Sequence, residues 1–206
     1  MSSLAIFCAD VGSIKRGNFG WARLALGQSP SGDDDIRKFV ETVAGDLNNG
    51  KKVALGFECP LFVPVSSVPE DLTKARSGEQ NRPWSAGAGA GSLATGLTET
   101  QWICDHMRSA LRRTVPVFYR WQPFDASTTG MFIWEAFVTK EAKGTTHAKD
   151  AENAVKRFRD CLPNPESHNA LVSHGRVRSL IGAALLQSGL TSDLGWLGEP
   201  CLVIRV

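Results

Sequence analysis

Leu4-Ala-Ile-Phe-Cys-Ala-Asp10-Val-Gly12 and Val53-Ala-Leu-Gly-Phe-Glu58-Cys-Pro60 are two short apolar runs, each halted by a carboxylate and then by a turn-forming residue. Apolar runs of this length without polar alternation read as strands buried on both faces. Between them Ile36, Phe39, Val40, Val43 and Leu47 recur at helical spacing. The acids Asp33, Asp34 and Asp35 supply an N-cap, and Asn48-Asn49-Gly50 stops the helix. Strand, amphipathic helix and strand together make a layered α/β unit.

Working outward, Gly17-Asn18 predicts a turn and Gly20–Leu26 a second strand paired back as a hairpin. Little room is left before Asp33, so a third strand is expected to be very short or absent. Residues 63–96 read as an irregular Pro/Gly-rich insertion ending in Ala86-Gly-Ala-Gly-Ala-Gly-Ser92, long enough to suggest function. Beyond it the patterns predict a helix over Thr98–Arg113 and strands over Val115–Arg120 and Met131–Val138. A helix from about Ala148 to Cys161, an apolar helix over Arg178–Gly189 and an edge strand over Cys201–Arg205 follow. No repeat interrupts the chain, and residues 1–206 read as one domain.

A hydrophobic share of 42% supports a packed core and excludes a mostly disordered chain. No apolar run approaches the roughly 20 residues that a membrane span needs. No basic residue precedes the Leu4–Ala9 run, so a secretory signal is not expected. Five widely spaced cysteines, an odd number, fit reduced thiols and a cytoplasmic setting. Lys plus Arg number 23 against 21 Asp plus Glu, a net of +2, which excludes coating nucleic acid by charge alone. An acidic metal site with a basic rim stays compatible with that balance.

Asp10, Glu58 and Glu135 each sit at or near the end of a strand-like run. Ligands in open α/β sheets gather beyond the carboxyl ends of the strands. One acid after a strand is commonly a turn or cap residue. Several brought to one rim repel one another unless a cation or proton is shared. Mg²⁺ and Mn²⁺, which prefer oxygen ligands, suit such a rim.

Ala9-Asp-Val-Gly12, Gly20-Trp21, Gly56-Phe-Glu-Cys-Pro-Leu61, Trp134-Glu-Ala-Phe137 and Leu180–Leu186 together resemble the ribonuclease H-like superfamily. Within it they are most similar to a prokaryotic family of predicted ribonuclease H-like nucleases. The resemblance implies a mixed sheet flanked by helices and Mg²⁺- or Mn²⁺-dependent hydrolysis of phosphodiester bonds in nucleic acid. It assigns Asp10, Glu58 and Glu135 to the metal. For the last acid two readings stand. His147-Ala-Lys-Asp150-Ala151 resembles the His/Asp-x-x-Asp-Ala motif of Holliday-junction resolvases, making Asp150 a ligand and His147 a helper. Alternatively the final helix begins at Ser179, where an acid should stand. That second reading suits a catalytically inactive module binding nucleic acid or protein. An actin-like phosphotransferase would need a duplicated fold, which this length does not accommodate.

Residues 81–92 precede a helix, so their amides are candidates to cradle phosphate, although the Gly-Lys-Ser/Thr ending of a P-loop is missing. Arg82 offers a phosphate contact and Trp84 a stacking face for a base. Lys15 and Arg16 are further candidates to steady phosphate charge. Trp102 and Trp134 are expected in the core, Trp84 and Trp121 at the surface. Cys59 has no helix N-terminus at hand to activate it as a nucleophile.

Overall fold

The computed structural model describes residues 4–79, 83–171 and 175–206. β1 (Leu4–Asp10) turns back into β2 (Gly20–Ala25), and β3 (Ser31–Asp33) follows as a three-residue strand. α1 (Ile36–Asn48) is capped by Asp35, whose side chain accepts from the Arg37 amide. Its buried stripe carries all five apolar positions read from the sequence. β4 (Lys52–Phe57) runs parallel to β1. β5 (Phe62–Pro64), α2 (Gly87–Ala110), β6 (Val117–Phe118), α3 (Trp121–Ala126) and β7 (Gly130–Phe137) come next. α4 (His147–Asp160), β8 (Val177–Ser179), α5 (Leu180–Gln187) and β9 (Leu202–Arg205) complete the order.

The main sheet is mixed, with strand order β3-β2-β1-β4-β7-β6. β1, β4 and β7 are mutually parallel, while β2 and β3 are antiparallel additions on one side. Beyond β7 the next position is shared: β6 pairs with its first half and β9 with its second. β5 and β8 form a separate antiparallel pair, which the sequence patterns do not announce.

Both faces of the sheet are covered, which is why its central strands are continuously apolar. Ala5, Phe7 and Ala9 face one core with residues of α1, α2 and α5. Leu4, Ile6 and Cys8 face the other, with α3 and α4. Every cysteine is free and buried. No helix among the described residues is long and apolar enough to cross a membrane.

Two expectations are corrected. The Gly/Ala run is not loop: α2 begins at Gly87, so residues 87–96 are its first turns, and the irregular stretch is correspondingly shorter. Alternating glycine suppresses helix propensity, and packing overrides it. At Gly96 a Cβ would stand 2.6 Å from the Cys59 Sγ, so the small residue lets the helix approach the end of β4. Trp121 is not at the surface either. It is 6% exposed, donates its indole N–H to the Pro163 carbonyl, and packs on Phe124, Phe132 and Phe158.

Candidate functional site

Asp10 is the last residue of β1 and Glu58 follows β4 directly. The Glu58 amide donates to the Ala9 carbonyl at 2.8 Å, extending the parallel pairing one step beyond Phe57. Strand alternation sets Asp10 on the face of Leu4, Ile6 and Cys8, the side that α4 covers. The N-terminus of α4 then supplies His147 and Asp150. Thr146 caps it by accepting from the Lys149 amide. Gly20, opposite Asp10 in the β1–β2 register, makes the approach possible. A Cβ there would lie 2.1 Å from the Ala148 nitrogen.

His147 Nδ1 lies 2.5 Å from Asp10 Oδ2. Asp10, His147 and Asp150 each present a donor atom within 4.8 Å of the others. Asp150 also accepts from the Gly144 amide, and the Lys143 ammonium stands 3.9 Å from its other oxygen. Glu58 Oε2 is sealed from solvent and has no hydrogen-bond partner among the described residues.

The electrostatics follow from this crowding. Burial pushes the Glu58 carboxyl up to about 9, assisted by the charges of Asp10 and Asp150 and opposed by Lys143. Burial also raises Asp10, against the lowering effect of His147. Glu99 of α2 is raised to about 7 by burial and the Asp10 charge, although the Gly12 amide donates to it at 3.2 Å. Desolvated, mutually repelling carboxylates stabilise a bound proton or a cation.

Glu135 takes no part in this group. It is paired in register with Phe57, not with Glu58, so it stands on the opposite face of the sheet. There it meets Arg76 in a bidentate pair, with Nη2 to Oε1 at 2.6 Å and Nη1 to Oε2 at 2.8 Å. The Leu61 amide donates to the same Oε2. Arg76 also binds Glu79, whose carboxylate in turn accepts from the Trp84 amide. A carboxylate so fully neutralised is a structural ion pair rather than a metal ligand.

Ser179 is the N-cap of α5, its hydroxyl accepting from the Gly182 amide at 3.0 Å, and the helix packs on the face away from α4. Of the two readings for the last acid, the structure brings Asp150 and not Ser179 to Asp10. Lys15 and Arg16 are exposed on the turn that leaves β1 just after Asp10. Trp84 is half-buried, with its indole N–H donated to the Lys74 carbonyl. Arg82 lies outside the described residues.

Sequence reasoning missed Glu99 and Lys143. Glu99 does leave a signal, because it interrupts the buried stripe Gly96, Ile103 and Met107 of α2 with an acid. Lys143 leaves none, since it reaches the site from irregular chain before α4. Asp10, Glu58, Asp150 and His147 offer three carboxylates and one imidazole at one end of the sheet, an oxygen-rich set suited to a hard divalent cation. No family model, curated protein or solved structure matches this chain.

Proposed function

We propose that this chain is a divalent-metal-dependent hydrolase of phosphodiester bonds in nucleic acid, on a ribonuclease H-like frame. The observation that carries the reading is the convergence of Asp10, His147 and Asp150 within 4.8 Å, beside the unpartnered oxygen of Glu58. The strand order, with a hairpin and short third strand beside three parallel strands, supports the frame. Asp10, Glu58 and Asp150 would hold Mg²⁺ or Mn²⁺. Such ions lower the pKa of water and stabilise charge on the leaving oxygen of a phosphodiester. His147, half-buried and hydrogen-bonded to Asp10, is placed to hold or move a proton at Nδ1. Lys143, Lys15 and Arg16 would draw the polyanion towards the carboxylates.

Glu135 favours a second reading, a non-catalytic binding module on the same frame, because its pairing with Arg76 withdraws one of the expected ligands. Calorimetric titration with Mn²⁺ separates the two, together with cleavage assays on single-stranded, duplex and branched substrates. Metal binding and cleavage, both lost in Asp10→Asn and Asp150→Asn, support the hydrolase. Absence of both in the wild-type protein supports the binding module.

A further inference from the structure

Glu99 stands on the buried stripe of α2, between Gly96 and Ile103, and is only 8% exposed. An acid there is costly to desolvate, and burial raises its carboxyl to about 7. α2 packs on the face of Ala5, Phe7 and Ala9, so Glu99 arrives from the side opposite α4. Gly96, three residues earlier on the same face of the helix, lets α2 close on Cys59 and Val11. From that position Glu99 Oε2 accepts from the Gly12 amide at 3.2 Å, a bond that spans 87 positions of chain.

That amide belongs to the turn that leaves Asp10. β1 ends at Asp10, whose partner across the ladder is Gly20, and Val11 and Gly12 then depart from the sheet. Val11 is buried in the core under α2. At Gly12 the chain passes so close to Asn18 that a Cβ would lie 2.0 Å from the Asn18 carbonyl oxygen. Asp10 is thus held on the α4 side through His147 and on the α2 side through the backbone two residues on. We propose that Glu99 is a positioning residue for the carboxylate group, holding the Gly12 amide so that the turn after β1, and with it the reach of Asp10 to a cation, is fixed. The inference rests on the metal reading of Asp10, Glu58 and Asp150 and adds a residue that acts on them through the backbone. Partners that orient a metal ligand from outside typically carry about 10–100-fold of the metal affinity. A contact that served folding alone would behave differently. The Gly12 amide is half-buried and can take water in place of the carboxylate, and an apolar side chain suits the α2 stripe better than an acid does.

The test is Mn²⁺ calorimetry together with urea unfolding on the full chain, comparing wild type with Glu99→Leu and Glu99→Gln. Leu removes the acceptor and fits the stripe, whereas Gln keeps an acceptor oxygen and drops the charge. Glu99→Leu is expected to weaken Mn²⁺ binding by about tenfold or more, with an unfolding midpoint equal to or above that of wild type. Glu99→Gln should return Mn²⁺ affinity to near wild type. Unchanged Mn²⁺ affinity in Glu99→Leu overturns the inference. An equal loss in both variants overturns it too, since the charge of Glu99 and not its hold on Gly12 would then be the source. A midpoint that falls along with the affinity reduces Glu99 to a stabilising contact and has the same consequence. Wild-type protein that binds no Mn²⁺ fails the metal reading itself, whereas wild-type binding that ignores Glu99→Leu fails this inference alone.

Discussion

Glu58 directly follows β4 and Glu135 lies two residues before the end of its parallel neighbour β7, yet their side chains stand on opposite faces of the sheet. The register pairs Glu135 with Phe57, and side chains alternate with a period of two. One acid joins Asp10 under α4, and the other is buried against Arg76.

Glu135→Gln should therefore act on stability. It leaves the Arg76 guanidinium, which is buried, with half its partners, a change that typically costs about 3–5 kcal/mol. Asp10→Asn should instead lower Mn²⁺ affinity by about tenfold or more while leaving the unfolding midpoint nearly unchanged or higher. Urea unfolding and calorimetry read the two effects separately. Loss of Mn²⁺ binding in a folded Glu135→Gln protein would return Glu135 to the metal site.

The metal-free protein should lose stability as pH rises. Glu58 is raised from 4.5 to about 9, so between those values the folded state keeps a proton that the unfolded chain has released. Stability from this group is full below about 4.5 and declines up to about 9, and Glu99 adds a similar slope from 4.5 to about 7. Glu58→Gln should flatten the profile, and Mn²⁺ should stabilise wild type most at high pH. A midpoint that rises steadily from pH 5 to 9 would contradict the assignment.

Gly20→Ala should misplace the head of α4. The added methyl would fall 2.1 Å from the Ala148 nitrogen, and the helix must shift away from Asp10. Mn²⁺ affinity is expected to fall by about tenfold, with a stability loss of about 1–3 kcal/mol. Gly56→Ala is the control. Its methyl meets the Trp134 ring at 2.2 Å within the core, so stability should fall without a specific loss of metal affinity. Equal effects of the two variants on Mn²⁺ would remove the positioning role of Gly20.

Ser179→Ala should cost about 1 kcal/mol, the usual value of an N-cap, and leave Mn²⁺ binding intact. A change in metal affinity would place Ser179 in the site after all.

Much of the frame is legible in single stretches of chain. The apolar runs before Asp10 and Glu58 and the helical stripe of α1 report local periodicity, which the fold preserves. The α2 start was not legible, because Gly-Ala alternation has weak local preference and its helicity comes from contacts such as Gly96 on Cys59. The same holds for Trp121, whose neighbours suggest a loop but whose ring packs on Phe124 of its own helix and on Phe132 and Phe158 from β7 and α4.

The amino-acid sequence by itself determined the alternation of strands and helices and the acids at strand ends, because both are written in local spacing. Which acids meet was decided only by tertiary structure. Register between β4 and β7 turns Glu135 to Arg76, and the close passage of α4 over Gly20 brings His147 and Asp150 to Asp10. Side-chain parity across strands and the approach of a helix depend on pairings far apart in the chain, so no local pattern carries them.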